Sequence, residues 1–188
     1  AGIDLWNWKV LDSSKPHQLD NLSIITHMSG TDAEVYFHML PCAMQAVAGP
    51  ILHKVFQVDV LIKRCGDRQL LILLRELLAV IKQFRQIFEQ VRALVSKEDF
   101  YNIYRPLLGG FYPDGLTMQG VEQNGKPLVL AAKGPSAGQS TMIILFDLML
   151  GVSHHGEAKE FQEEMLTYMT TPHAQMVKDF KQRIESSG

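Results

Sequence analysis

Between Leu74 and Val95 the apolar residues Leu74, Leu77, Ile81, Phe84, Phe88, Val91 and Val95 recur at alternating steps of three and four. That spacing marks one face of a long α-helix. Such a stripe must be covered by other elements, so it predicts a core helix with Phe84 enclosed. Asp67, after Gly66, is the expected N-cap.

The flanking segments read mostly as helices too. Residues 1–30 read as irregular, with Ser13-Ser14-Lys15-Pro16 as a turn. Asp32 is placed to cap a helix carrying Val35, Tyr36, Phe37, Met39 and Leu40, which Pro41 and Pro50 should kink or divide. Ser96-Lys97-Glu98-Asp99 resembles a capping box with Asp in the Glu position. The next helix carries Phe100 to Arg105, and Pro106 disfavours the α conformation at Arg105. Gly109-Gly110 ends it. Asn124-Gly125, between Leu116–Val121 and Pro127–Ala131, reads as a β-hairpin. Helices are expected again near 137–152, 157–169 and 172–186, the last with Thr171 as N-cap and Pro172 first in the helix. The fold class is all-α: a helical bundle with a small hairpin insertion near residues 116–131.

Composition excludes several functions. A chain of 188 residues with 46 % hydrophobic and 20 % charged residues can bury one sizeable core. A net charge of −2 gives no electrostatic attraction to nucleic acid or an anionic membrane. Cys42 and Cys65 form neither a metal-ligand spacing nor a disulfide framework, which fits a reducing, cytoplasmic setting. The longest apolar run, Leu70–Ile81, is broken by Arg75-Glu76, so no segment is expected to span a bilayer. The start, Ala1 to Trp8, lacks the basic region of a signal peptide.

Gly134-Pro135-Ser136-Ala137-Gly138-Gln139-Ser140-Thr141 runs into the apolar stretch Met142–Val152. A small-residue loop opening a helix presents unpaired N–H groups and the positive end of the helix dipole, which suit a phosphate or carboxylate. A plain helix cap reads equally well. A nucleotide P-loop does not: it needs four residues between its glycines and a Lys before Ser/Thr, whereas three intervene here and Gln139 replaces the Lys. Arg105 follows Tyr101 by four residues, so both share one helical face. The guanidinium either snorkels beside an aromatic or grips a ligand carboxylate through paired hydrogen bonds.

The histidines His17, His27, His38, His53, His154, His155 and His173 make no metal signature. His154 and His155 read as a solvated loop pair, His173 as exposed, and His38 as partly buried. Asp147, inside an apolar run, either pairs with an Arg or Lys or marks the polar edge of its helix.

Taken in order, Phe100-Tyr101-x-x-x-Arg105-Pro106, Asp114-Gly115-Leu116, Gly134-x-Ser136-Ala137-Gly138-Gln139-Ser140 and Phe146-Asp147-x-x-Leu150-Gly151 resemble the indoleamine 2,3-dioxygenase family. Weaker similarity runs from Asn7-Trp8 through Glu34-Val35-Tyr36-Phe37 and Ala48-Gly49-Pro50 to Pro172-His173, so the resemblance covers nearly the whole chain. It implies a helical haem enzyme adding both atoms of O2 across the indole C2–C3 bond of L-tryptophan to give N-formylkynurenine.

Carried over by position, Phe100 and Tyr101 would pack on the indole and Arg105 would bind the substrate carboxylate. Ser136 and Ala137 would lie beside substrate and haem, Gly138 beside haem, and Asp147 near a haem propionate. The distal pocket would draw on Phe37, with either Pro41 or His38 at its polar position. The resemblance also places the proximal histidine of haem b beyond this sequence, and makes the chain the central part of one large catalytic domain. The small N-terminal domain and the proximal-histidine helix would be absent. On that reading the chain alone binds haem weakly or not at all, and the rest of its own polypeptide is its partner. An oxygen-binding, myoglobin-like carrier on the same fold is the alternative, against which Arg105 argues. A helical interaction module without haem is the third.

Overall fold

The computed structural model describes residues 5–56, 67–109, 114–131 and 134–186. The all-α expectation holds. The elements run β1 (Trp8–Val10), β2 (Leu22–Ile24), α1 (Asp32–Val55), α2 (Asp67–Glu89), α3 (Val91–Leu94) and α4 (Lys97–Asp99). A π-turn (Phe100–Tyr104) then leads into α5 (Arg105–Leu108), followed by β3 (Leu116–Gln123) and β4 (Lys126–Leu130). After a 3-10 turn (Ala137–Gln139) come α6 (Thr141–Leu150), α7 (Glu157–Leu166) and α8 (Thr171–Glu185).

α1 is the axis of the core. Ala48 and Ile51 pack with Leu73 and Leu77 of α2 and with Met142 and Phe146 of α6. Met39, Cys42 and Ala43 pack beneath Leu22 and Ile24 of the small sheet. Leu52 and Phe56 reach a third cluster formed by Ile144 and Leu145 of α6 with Val177 and Phe180 of α8. By length and composition alone α1 could cross a bilayer, but in this fold Met39, Cys42, Ala43, Ala48 and Ile51 are among its residues buried against the other elements.

Pro41 and Pro50 do not divide α1. Each removes the hydrogen bond its N–H would make to the carbonyl four residues earlier, on Phe37 and Ala46, which costs about 3 kcal/mol in a bare helix. Packing on several sides offsets that cost. The cap also differs from expectation: Thr31, not Asp32, is the N-cap, its hydroxyl accepting from the Glu34 N–H at 3.3 Å. The Glu34 carboxylate turns back to accept from the N–H groups of Met28, Ser29 and Gly30 and from the Ser29 hydroxyl. Burial alone would raise this carboxyl, and the hydrogen bonds outweigh it, so Glu34 titrates below its ordinary range.

Residues 5–30 contain more order than expected. β1 and β2 pair antiparallel, Lys9 opposite Ser23. The loop between them is held by buried Asn21, whose amide donates to the carbonyls of Asp12 and Pro16 and accepts from the Asp12 N–H.

The long helix is present, and the expected stripe holds at its centre. Leu73 and Leu77 are buried, with Val80, Ile81 and Phe84 packed against the same cluster, while Leu74 and Phe88 are exposed and the helix ends at Glu89, before Val91 and Val95. Leu70 to Leu74 is an unbroken apolar run, so sequence spacing does not fix which residue starts the stripe. Phe84 is half-buried, its ring centroid 5.8 Å from that of Phe146.

Ser96 caps α4, accepting from the Asp99 N–H at 3.3 Å. Arg105 stays in the α region despite Pro106, because the preceding turn widens: its N–H donates to the Phe100 carbonyl, five residues back. A wider turn eases the clash of the proline ring with the carbonyl four residues earlier.

The hairpin forms as expected. Asn124 and Gly125 both have positive φ (56° and 71°), as a two-residue type I′ turn requires. α8 begins one residue early, with Thr170 as N-cap and Pro172 in its first turn. Gly66, Cys65 and Gly110 lie outside the described residues.

Candidate functional site

A cavity of about 430 Å³ opens beside α1. One wall is the α1 stripe Phe37, Pro41, Gln45, Gly49 and Leu52, spaced three and four apart. Phe84 and Phe88 of α2 close a second side. The loop before α6 and its first turn add Ser136, Gln139, Ser140 and Thr141, the Thr141 hydroxyl donating to the Met169 sulfur at 3.7 Å. His173 and Met176 of α8 complete the rim, with Met44, Met142 and Met169 among the apolar lining. Polar groups therefore gather on the loop side of a largely apolar chamber, the usual make-up of a small-molecule site.

The loop is held from within. The Ser136 hydroxyl accepts from the Gly138 N–H at 3.2 Å, the Ser136 carbonyl accepts from the Gln139 N–H at 3.0 Å, and the Gln139 amide donates to the Gly134 carbonyl at 3.1 Å. Ser140 is the N-cap of α6 by backbone angle only, with no side-chain hydrogen bond to the helix. The first turn of α6 thus opens at the cavity wall through Thr141, Met142 and Ile143.

Three of the candidate residues from the sequence line the cavity: Phe37, Pro41 and Ser136. The others fall elsewhere. His38 is buried and its Nε2 hydrogen-bonds the Tyr104 hydroxyl, one step round α1 from the cavity face. Gly138 faces α7: a Cβ there would stand 2.8 Å from Phe161 and 3.1 Å from Met165. The side chain of Ala137 lies outside the described residues. Asp147 is paired with the ring of His154, Nε2 to Oδ2 2.8 Å. That corrects two expectations, since its partner is neither Arg nor Lys and His154 is not a free loop side chain. His173, expected to be exposed, is half-buried in the cavity lining.

Phe100, Tyr101 and Arg105 are outside the lining but joined to it through rings. The Phe37 centroid is 5.0 Å from Phe100, Phe100 is 5.5 Å from Tyr101, and the Arg105 guanidinium lies 5.0 Å over the Tyr101 ring. Tyr101 is exposed, and so is Arg105. The cation therefore sits at the outer end of an aromatic run whose inner end, Phe37, faces the cavity.

Sequence reasoning missed Gln45 and Met176, while Ser140 and Thr141 belong to the loop it singled out without giving them a role of their own. Gln45 carried a usable signal, four residues after Pro41 on one helix face. Tyr104 carried one too, four after Phe100, but its partner lies 66 residues away.

A family model for indoleamine 2,3-dioxygenase matches residues 1–186. The chain is similar to rat indoleamine 2,3-dioxygenase 1, 28% identical with 100% of this chain and 46% of the relative covered. It is also similar to the 6-hydroxytryptophan 2,3-dioxygenase of Fusarium equiseti, at 24% identity over 99% of the chain and 46% of the relative. A myoglobin of Haliotis diversicolor is 32% identical over 56% of the chain and 29% of its own length. The chain spans about half the length of the curated dioxygenases it matches. This chain belongs to the indoleamine 2,3-dioxygenase family.

Proposed function

We propose that the chain forms part of the catalytic pocket of a haem-dependent dioxygenase that adds both atoms of O2 across the indole C2–C3 bond of L-tryptophan, giving N-formylkynurenine. The observation that carries this reading is an apolar cavity bounded by the Ser136 loop in a chain matched to the family over residues 1–186.

The cavity residues suit a flat, apolar cofactor with carboxylate edges. Nothing stands within 4 Å of the position a Gly49 Cβ would take, so a planar group has room against α1. The hydroxyls of Ser136 and Ser140 would receive carboxylates, while that of Thr141 donates to the Met169 sulfur at 3.7 Å. We assign Ser136 to haem and substrate contact, with the backbone of Ala137 and Gly138 bracing the loop. Asp147, through His154, belongs to the charged surround. When bound, haem iron supplies the oxygen chemistry, and the protein supplies binding, orientation and electrostatics.

The chain's own residues do the remaining work. Phe37 and Pro41 keep water from the inner wall. Phe100 and Tyr101 pack the indole, and Arg105 holds the substrate carboxylate through its planar pair of N–H donors. The test is an absorption spectrum of the intact protein, followed by N-formylkynurenine formation under reducing conditions. A Soret band with turnover is expected. No haem binding sinks the reading in favour of an interaction module. Haem and reversible O2 binding without turnover favours the second reading, an oxygen carrier, which the match to a Haliotis myoglobin supports.

A further inference from the structure

The buried bond between His38 and Tyr104 has no place in the chemistry proposed above, yet it joins the two elements that shape the pocket. His38 follows Phe37 on α1, and Phe37 lines the cavity. Tyr104 closes the π-turn that begins at Phe100 and ends against Arg105. His38 is 2% exposed and Tyr104 0%. Their side chains meet through His38 Nε2 and the Tyr104 hydroxyl.

Around that bond the rings interlock. Phe37 is 5.0 Å from Phe100 and 5.8 Å from Tyr104, the latter edge-on. The Phe37 ring therefore stands between the cavity and the two inward residues of the π-turn. Packing contacts alone are non-directional and let an aromatic ring tilt. A hydrogen bond between two buried groups has preferred distance and angle, and in a dry interior it is strong. It fixes how α1 and the π-turn face each other.

The π-turn needs such an anchor. Its one-residue expansion is uncommon and recurs at functional sites. Were the turn to relax to α, Tyr104 would rotate away from α1, and Arg105 would shift relative to Tyr101.

We propose that His38 and Tyr104 are positioning residues: their hydrogen bond latches the π-turn to α1, and so sets the Phe37 wall of the cavity and the placement of Arg105 for substrate. The proposal rests on the dioxygenase reading for its effect on substrate, but not for the latch itself. His38 acts through Phe37 and the π-turn and touches no substrate.

The experiment uses the intact protein and two readouts. Tyr104→Phe keeps the ring and removes the hydroxyl. We expect the KM for L-tryptophan to rise about tenfold, the effect of losing one such interaction, with kcat within about twofold. Amide hydrogen exchange should quicken at residues 100–105 and not in α6 or α8. His38→Gln retains a side-chain N–H donor and should stay near the parent in both. The double variant His38→Leu/Tyr104→Phe replaces the polar pair with apolar groups, which can restore stability. Its KM should stay raised. Unchanged exchange at 100–105 in Tyr104→Phe would overturn the latch. A double variant whose KM recovers along with its melting temperature would show a purely structural pair and overturn the positioning role. If the parent protein turns over no tryptophan, the dioxygenase reading fails, and the exchange result alone decides the latch.

Discussion

Arg105 lays its guanidinium 5.0 Å above the ring of Tyr101, on a face that both residues present to solvent. At an exposed site that stack contributes about 0.5–1 kcal/mol. Arg105→Lys should therefore change folding stability by less than about 1 kcal/mol in thermal unfolding. Its effect on substrate should be larger. A lysine cannot reproduce the planar fork that pairs with a carboxylate. In the intact protein the KM for tryptophan should rise by about one to two decades, the equivalent of one charged hydrogen bond of about 1.5–3 kcal/mol. Oxygen binding should be unchanged. A variant with parent KM would leave Arg105 as a surface stacking residue.

The phase of α2 gives a test of the core. Leu73 is 5% exposed and Leu74 is 50% exposed, although they are neighbours of the same type. Leu73→Ala should cost about 2–5 kcal/mol, and Leu74→Ala should stay within about 0.5 kcal/mol. Phe84 sits at the cavity edge with one face already open, so Phe84→Ala should fall below the 3–5 kcal/mol or so of a fully enclosed ring. Chemical denaturation of the three variants would check the order. Equal losses at Leu73 and Leu74 would contradict the placement of α2.

The same pair shows how far the sequence could be read. A three-four alternation identifies a helix, but five consecutive apolar residues from Leu70 to Leu74 leave the buried face undetermined until α1 and α6 are in place. The hairpin was legible because Asn124-Gly125 is a local signal: only those two residues need positive φ. Short-range capping at Ser96 was legible for the same reason. Long-range pairings were not. Nothing at His38 points to Tyr104, and nothing at Asp147 points to His154 across the end of α6. Of the candidate site, Phe37, Pro41 and Ser136 reach the cavity because each lies on an element whose cavity-facing side the core packing dictates. Gln45 was missed because a polar residue on a mixed helix face is as often solvated as functional, so its spacing from Pro41 did not decide its role.

Glu34 should make the protein acid-sensitive. Its folded-state carboxyl titrates below its ordinary value, because the N–H groups of Met28, Ser29 and Gly30 and the Ser29 hydroxyl outweigh the effect of burial. A depressed carboxyl contributes stability that is present above the unfolded-state value. That contribution is lost as pH falls through the folded-state value. The loss should begin below about pH 5. Glu34→Gln should be less stable than the parent at neutral pH, and the difference should shrink as the solution is acidified. Melting temperatures of both proteins from pH 7 downward would show it. A constant difference across that range would mean that the charge on Glu34 is not what the three N–H groups require.

A side chain at Gly138 should be destabilising, and the reason lies in α7. A Cβ at this position would stand 2.8 Å from Phe161 Cε1 and 3.1 Å from Met165 Cγ. Met165 is fully buried and cannot move aside, whereas Phe161 is 43% exposed and has somewhere to go. Overpacking a tight contact costs typically about 1–3 kcal/mol, and a yielding partner places Gly138→Ala near the lower end. The strain should be relieved by shortening the ring. In a Phe161→Leu background the same substitution should cost less, a coupling of about 0.5–1 kcal/mol in a double-mutant cycle. The cycle separates two roles for this glycine. If Gly138 is small because α7 presses on it, the coupling appears in the folding stability of the chain. Strict additivity with Phe161→Leu, together with a loss of haem or indole binding in Gly138→Ala, would instead mean that the space is kept for a ligand.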